Sequence, residues 1–354
     1  MGNYIGRFWH HLSDQKIQCD LCPHYCQLKE GQRGLCFVRQ NINQELIQTT
    51  FGRSSGFCID PVEKKPLNHF LPNTPILSFG TAGCNLSCKF CQNWDISNAK
   101  VYDRQIGYAS PDEIARAAKQ NHCKSVALTY NDPVIFFEYA IDVAIACHNL
   151  DIKVVAVSAA YMNPAPLKEF YLHMDGANID LKAFSQDFYK KLTGADLKPV
   201  LENLIYIRHK TKTWLELTTL IIPGYNDSPE EIKAMSEWIC HELGPDTPIH
   251  FSAFHPDHKM LDIPKTPLET LIRSRNIAME AGLHYVYTGN VYYQPGDTTY
   301  CPQCQKPVIE RSWDQLSQYH LTDDAKCRFC GTVIKGVFDT SPGTWGAKRK
   351  PISI

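Results

Sequence analysis

The middle of the chain alternates short apolar runs with longer helical patterns, and this alternation limits the possible folds of the 354 residues more than any other feature. Helical patterns open near prolines, which suit the first turn of a helix. Six strand–helix units in succession predict parallel strands, because each crossover returns the chain to the same direction. The predicted strands are 76–80, 125–129, 153–158, 177–181, 214–222, 249–252 and 285–288, and the helix-opening residues are Pro111, Pro133, Pro164, Pro199, Pro229 and Pro267.

A doubly wound sheet and a barrel both satisfy this alternation. Polar or reactive residues follow nearly every predicted strand, which favours the barrel, since its C-terminal rim gathers such segments around one pocket. We therefore predict an α/β fold, a partial (β/α)6 TIM-like barrel with small Cys-rich modules at both ends. The predicted domains are an N-terminal Cys-rich segment (1–70), the barrel (71–290), and a zinc-ribbon-like module with a basic tail that we expect to be frayed (291–354).

The chain has 15 cysteines, and eleven of them fall into three clusters. The first residues contain no apolar signal-peptide core, and charges interrupt the longest apolar stretch, 126–150, so we expect a cytoplasmic protein without a membrane span. Cytosolic thiols stay reduced, and clustered ones therefore indicate metal or iron–sulfur ligands. The net charge of −1 indicates no nucleic-acid-binding surface.

The central cluster has the spacing C-x3-C-x2-C at Cys84, Cys88 and Cys91. Turn-forming residues lie between these cysteines, and the segment follows a strand directly, so a loop is expected rather than a helix with a cysteine face. Three thiolates from one loop can hold a cubane iron–sulfur cluster, which normally takes four cysteines. The iron that lacks a protein ligand is then the expected place for chemistry.

This triad, with Phe90 before its last cysteine, resembles the hallmark of the radical S-adenosylmethionine (SAM) superfamily. In that superfamily SAM chelates the open iron, one electron from the reduced cluster cleaves its sulfonium, and the 5′-deoxyadenosyl radical abstracts hydrogen from a substrate. The resemblance implies that Cys84, Cys88 and Cys91 are the catalytic ligands of a 4Fe–4S cluster. It also implies an electron donor such as flavodoxin or ferredoxin.

More locally, the chain resembles the activase-type branch that includes pyruvate formate-lyase activating enzymes. Asp132 stands where that branch carries a glutamate that contacts the methionine ammonium, and its side chain is one methylene shorter. Asp180 and Lys182 match an Asp-Leu-Lys segment, and alternate strand residues face the same way, although a buried structural pair is the alternative. His255 matches a ribose-contacting histidine, with a structural or solvent-facing loop residue as the alternative. The cofactor-binding residues implied by the resemblance are Tyr130, Asn131, Asp132, Asp180, Lys182 and His255.

The segments 60–70, 84–97, 250–260 and 287–291 together look like the radical enzyme of the AmmeMemoRadiSam system. That family name records an association with Memo-type and AMMECR-type proteins, which are therefore the implied partners. The motifs do not disclose the substrate. The alternative within the enzyme class is a glycyl-radical enzyme activase. A non-catalytic zinc-ribbon binding protein is a distant alternative, disfavoured by the net charge and the three-cysteine loop.

Each flanking cluster supplies four thiolates. Cys301, Cys304, Cys327 and Cys330 form two C-x2-C knuckles, which predict a structural zinc ribbon, with rubredoxin-like iron as the competing metal. Cys19, Cys22, Cys26 and Cys36 suit either zinc or an auxiliary 4Fe–4S cluster, and zinc is slightly preferred. Lys64 and Lys65 precede the barrel and either bind an anionic group or form a solvated pair.

Overall fold

The computed structural model describes residues 4–97 and 106–354. Its N-terminal part consists of short antiparallel strands that surround the first cysteine cluster. Strands β2, β3 and β4 form one sheet, β1, β6 and β5 form a second, and β7 pairs with a later strand. Their bounds are β1 (Tyr4–Ile5), β2 (Trp9–His11), β3 (Ile17–Cys19), β4 (Gln27–Leu28), β5 (Arg39–Ile42), β6 (Glu45–Gln48) and β7 (Arg53–Ser54).

The central sheet has nine strands, and seven of them are parallel neighbours. The sequence predicted each of these seven to within one residue at either end, because parallel strands covered on both faces are nearly continuous apolar runs. The strands are β8 (Phe57–Pro61), β9 (Pro75–Phe79), β10 (Ile106–Tyr108, which pairs with β7 outside this sheet), β11 (Ser125–Leu128), β12 (Lys153–Ser158), β13 (Gly176–Asp180), β14 (Trp214–Ile221), β15 (Ile249–Ala253) and β16 (Val286–Gly289).

The order of the sheet runs from β16 through β11 and β9 to β8, so the two ends of the parallel set do not pair. Nevertheless Asp60 on β8 and Thr288 on β16 line one cavity, which places these two distant strands of the sheet opposite each other. The sheet is therefore curved into an open, partial barrel, as the sequence predicted.

The helices cover the outside of the sheet. Ser110 caps α2 by accepting from the backbone of Glu113, whose side chain accepts from Ser110 in return, and this reciprocal cap fixes the start of the helix. The helices are α1 (Trp94–Ser97), α2 (Pro111–Gln120), α3 (Phe137–His148), α4 (Pro164–Leu172), α5 (Gln186–Phe188), α6 (Leu197–Lys210), α7 (Pro229–Trp238), α8 (Leu268–Glu280) and α9 (Gln294–Asp297), with 3-10 turns at Val62–Lys64 and Pro133–Phe136 and π turns at Tyr189–Thr193 and Ile239–Leu243. No helix in the described part of the chain has the length and apolar character needed to cross a membrane.

The C-terminal module is a three-stranded antiparallel sheet of β17 (Thr299–Tyr300), β18 (Pro307–Ser312) and β19 (Gln315–Tyr319). The expectation that the following tail is frayed was wrong. Strand β20 (Lys350–Ile352) pairs with β8 as the ninth strand of the central sheet. The physical reason is that β8 would otherwise present an unpaired edge of backbone donors and acceptors.

Glu216 on β14 joins the floor of the barrel to the segment before β9. Its fully buried carboxylate accepts from the backbone N–H groups of Asn68 at 3.0 Å and His69 at 2.7 Å. The indole of Trp214 donates to it at 3.0 Å, and Nε2 of His250 lies 2.8 Å away. Burial raises the pKa of Glu216, but the hydrogen bond and charge of His250 outweigh burial and hold that pKa below its usual value.

We expect Glu216→Gln to lower the free energy of unfolding by about 3 kcal/mol at pH 7, because it removes the buried charge and replaces one of the two acceptor oxygens with an NH2 donor, which leaves part of the surrounding donors unsatisfied. Since the folded-state pKa is depressed, this contribution is present above pH 4.5, the ordinary value for the group, and is lost as the pH falls through the folded-state pKa. Urea unfolding of the wild-type protein and of the Glu216→Gln variant as a function of pH measures this contribution. The exposed Glu237→Gln is the control, and an offset that stays constant with pH would contradict the assignment.

Candidate active site

The loop that follows β9 carries the central cysteines, and the amide of Asn131 fixes its shape. The Asn131 Oδ1 atom accepts from the backbone N–H of Thr81 at 3.0 Å. Its Nδ2 donates to the Thr81 hydroxyl at 3.1 Å and to the Gly83 carbonyl at 2.8 Å. Gly83 has a φ of +84°, a conformation that favours glycine. Asn131, predicted as a cofactor contact, thus uses its amide to hold the cysteine loop.

The three thiols are partly buried and lie close enough for their charges to interact. Burial raises the pKa of the Cys84 thiol and of the Cys88 thiol, and the nearby Lys182 ammonium opposes that rise at Cys88. Thiols of this kind ionise when a cation binds to them. The donor set of three sulfurs on one preformed loop fits three irons of a cubane cluster and leaves the fourth iron for another ligand.

Asp132 lies beside this loop and is buried. One carboxylate oxygen accepts from the Val134 N–H at 3.1 Å and from the Ser158 hydroxyl at 2.9 Å. The other accepts from the Ala159 N–H at 2.8 Å. Burial raises the pKa of Asp132 despite these hydrogen bonds. Three donors use three of about four acceptor positions of a carboxylate, so Asp132 can accept one more hydrogen bond.

Asp180 and Lys182 face the same point from the end of β13. Lys182 Nζ lies 2.9 Å from Asp180 Oδ2 and 5.9 Å from the centre of the Phe90 ring, and Lys182 also influences the Cys88 thiol. Burial alone would lower the pKa of Lys182, but the negative charges of Asp180 and Cys88 hold it above its usual value. The ammonium therefore stays charged beside the cysteine loop.

His255 and Tyr130 lie further from this group. The His255 side chain is exposed, and its Nδ1 lies 3.4 Å from the carbonyl oxygen of neighbouring Pro256. Its loop nevertheless packs on the cysteine loop, since the Lys259 N–H donates to the Lys89 carbonyl at 3.0 Å. The Tyr130 hydroxyl donates to Asp60 Oδ2 at 3.5 Å.

Two cavities of about 630 Å³ and 400 Å³ share Tyr130 and Arg349 in their walls. The larger reaches Gln92 and Asn93, which directly follow the last cysteine of the triad. The smaller is lined by charged residues of both flanking segments, including Arg311. Sequence reasoning named only Lys64 and Lys65 among these flanking residues and missed Arg311 and Arg349, because they lie hundreds of positions away along the chain and no local pattern connects them.

The two lysines before the barrel have different environments. Lys65 is buried and lies 2.8 Å from Asp60 Oδ2, so it is not solvated, whereas Lys64 is exposed. Lys64 lies 3.6 Å from Asp314 of the C-terminal module. Each lysine therefore lies beside a carboxylate that lines the 400 Å³ cavity.

Comparison with known proteins agrees with this geometry. The radical SAM superfamily profile matches residues 79–239. An uncharacterized protein of Methanocaldococcus jannaschii is 40% identical over 328 residues, which cover 92% of this chain and 97% of the relative. The 4-hydroxyphenylacetate decarboxylase activating enzyme of Clostridioides difficile strain CD196 is 25% identical over 225 residues, or 60% of this chain and 67% of that enzyme. The structure of Streptococcus suis SuiB bound to precursor peptide SuiA shares the fold, with a TM-score of 0.50, 15% identity, and coverage of 66% and 52% of the two chains.

The chain therefore belongs to the radical SAM superfamily and is an enzyme. Within the superfamily it is similar to an activating enzyme over 60% of its length. Membership implies a 4Fe–4S cluster and SAM as cofactors, together with a reductant.

We expect Asn131→Ala to loosen the cysteine loop, because it removes all three side-chain hydrogen bonds that hold Thr81 and Gly83. The loss of about 1–3 kcal/mol of local stability should lower the iron retained after anaerobic reconstitution and gel filtration. Asn149→Ala, at an exposed position after α3, is the control. Iron retention equal to that of the wild-type protein would contradict this role.

Proposed function

We propose that Cys84, Cys88 and Cys91 bind the 4Fe–4S cluster, and that the enzyme uses SAM to abstract hydrogen from a polar substrate. The observation that carries the proposal is the convergence of three thiols, the Asp132 carboxylate and the Asp180–Lys182 pair at one end of the parallel strands. When bound, the cluster and SAM supply a 5′-deoxyadenosyl radical by one-electron reductive cleavage.

Four residues around the cysteine loop have different supporting roles in this proposal. Lys182 stabilises negative charge at the Cys88 sulfur, and Asp180 holds the Lys182 ammonium in place at 2.9 Å. Asp132 offers its remaining acceptor position to the ammonium of a bound SAM. Asn131 keeps the loop in the shape that presents the three thiols.

Tyr130 and His255 take peripheral roles in this proposal. Tyr130 lines both cavities and separates the cysteine loop from the Asp60–Lys65 pair. His255 would contact the ribose of bound SAM; the support is the family resemblance of its segment, together with the packing of its loop on the cysteine loop through Lys259 and Lys89.

We further assign the enzyme to the AmmeMemoRadiSam system, with Memo-type and AMMECR-type proteins as partners and a flavodoxin or ferredoxin as electron donor. The support is the resemblance of its segments 60–70, 84–97, 250–260 and 287–291 to that family. The cytoplasm is the expected compartment, because its reducing conditions preserve free thiols. Charged residues in the 400 Å³ cavity favour a small polar substrate.

The second candidate is a glycyl-radical enzyme activase. Its support is the 25% identity to the 4-hydroxyphenylacetate decarboxylase activating enzyme. An activase must accept the glycine loop of a large partner protein. Co-purification with a Memo-type or AMMECR-type protein favours the first candidate, whereas a glycyl-radical signal on a co-purified partner favours the second.

The deciding experiment is anaerobic reconstitution followed by dithionite and SAM, with 5′-deoxyadenosine measured by chromatography. We expect product from the wild-type protein and a loss of at least about 100-fold in Cys88→Ala, because one iron loses its thiolate. Cys240→Ala, at a partly buried isolated cysteine, is the matched control and should retain activity. A wild-type protein that binds no cluster, or a Cys88→Ala variant of full activity, would refute the proposal.

We propose that the chain has three domains, with the predicted bounds 1–70, 71–290 and 291–354. We also propose that the C-terminal cysteines bind zinc. The Cys301 and Cys330 sulfurs lie 3.5 Å apart, and those of Cys304 and Cys327 lie 3.7 Å apart. Tetrahedral zinc with Zn–S bonds of about 2.3 Å separates its sulfurs by about 3.8 Å. The same ligands would also suit a single rubredoxin-like iron.

We expect Cys327→Ser to lose about one zinc per chain and to lower the midpoint of thermal unfolding of the C-terminal module. Elemental analysis measures the loss of zinc, and calorimetry measures the change in the midpoint of thermal unfolding. Iron loss without zinc loss would instead identify the rubredoxin-like metal.

A further inference from the structure

The four N-terminal cysteines line a single cavity between the short antiparallel strands and the barrel. Cys19 and Cys36 are buried, and Cys22 and Cys26 are partly exposed. The cavity also contacts Val134 and Ile135 of the barrel, so it lies inside the protein body and not on a detached loop. Its lining is otherwise largely apolar, which suits a group held by sulfur ligands in a region of low polarity.

The spacing of these sulfurs differs from that of the C-terminal set. Among residues 4–97 and 106–354, the C-terminal four are the one group of three or more thiol, imidazole or carboxylate ligands whose donor atoms all lie within 4.8 Å of each other. The N-terminal sulfurs share a cavity, but no three of them lie within 4.8 Å of one another, whereas tetrahedral zinc holds its sulfurs about 3.8 Å apart. A 4Fe–4S cluster binds each cysteine to a different iron and therefore needs a wider arrangement.

Arg39 supplies an independent indication of a bound group. It lines the cavity and is 1% exposed, and its two terminal nitrogens contact Glu138. Its Nε–H is buried and has no hydrogen-bond partner among the residues that the structure describes. Buried donors are rarely left unpaired. A cluster with four thiolates carries negative charge and has sulfur acceptors, which suit this unpaired donor and the cation that bears it.

The N-terminal site also touches the radical-site loop. The Cys36 carbonyl oxygen lies so close to Gly83 that a Cβ at residue 83 would stand 2.2 Å from it. His24 Nε2 lies 2.7 Å from the carbonyl oxygen of Asn85. Gly83 and Asn85 flank Cys84 in the sequence, so the backbone around that cysteine is in contact with the N-terminal cysteine module on both sides.

We propose that Cys19, Cys22, Cys26 and Cys36 bind a second 4Fe–4S cluster, which relays single electrons to the cluster at Cys84, Cys88 and Cys91. This replaces the slight preference for zinc drawn from the spacing in the sequence. A flavodoxin- or ferredoxin-type donor loses one electron, and the N-terminal cluster gains that electron and passes it to the radical-site cluster. No covalent bond changes and no proton is required in this transfer. The relay, but not the binding site, rests on the proposed function.

The binding site is tested in the triple variant Cys84→Ala, Cys88→Ala, Cys91→Ala, which leaves the N-terminal cysteines intact. After anaerobic reconstitution we expect about four iron per chain in this variant, against about eight in the wild-type protein, with about one zinc in each. The variant should give the electron paramagnetic resonance signal of a reduced 4Fe–4S cluster with dithionite. Two zinc and no iron in the triple variant would overturn the proposal. Neither result depends on whether the wild-type protein cleaves SAM.

The relay is tested in the double variant Cys19→Ser, Cys36→Ser. Its iron should fall from about eight to about four per chain, and 5′-deoxyadenosine formation driven by reduced flavodoxin should fall at least about tenfold. Formation driven by dithionite, a small reductant that reaches the radical-site cluster directly, should fall much less. Cys147→Ala, at a buried isolated cysteine, is the control. An unchanged flavodoxin-driven rate would refute the relay, and the triple variant still tests the site if the double variant does not fold.

Discussion

The amide of Asn131 connects the end of β11 to the cysteine loop after β9, and the arrangement of the site depends on this connection. Without it, the loop would have to present three thiols from a segment with a left-handed glycine and several turns. The next residue along the chain, Asp132, is fixed by donors from the end of β12. Two adjacent residues thus position the cysteine loop and the acidic group beside it. The positions of β9, β11 and β12 therefore determine the geometry of the site.

Much of the fold could be predicted from the sequence, because parallel strands buried on both faces have an unmistakable apolar pattern. The central cysteines and the Asp180–Lys182 pair could be predicted for a similar reason, since their spacing is local. Strand β20 could not, because its Lys350–Ile352 segment has no strand-like apolar pattern and its pairing comes from the open edge of β8. Local sequence also left the actual role of the Asn131 side chain undetermined, since its partners are 48 and 50 positions away.

The metal that each set of four cysteines binds also could not be predicted from the sequence alone. Both supply four thiolates within short stretches of sequence, and spacing along the chain separates zinc from a cluster poorly. The distances between sulfur atoms depend on how β3, β5 and the intervening turns pack against the barrel. Burial likewise decided the state of Lys65, which a sequence cannot distinguish from a solvated lysine until its partner Asp60 is placed beside it.

Beside barrel residues such as Tyr130 and Thr288, three distant parts of the flanking segments line the 400 Å³ cavity: 60–66, 311–314 and Arg349. None of these residues belongs to the cysteine loop or to the Asp132 and Lys182 group. Mutations in these flanking parts of the wall can therefore accumulate without changing the cysteine loop or the Asp132 and Lys182 group. Descendants of one ancestral gene could in this way acquire new substrates by drift and selection in the flanking segments, while the barrel beneath them stayed under constant purifying selection.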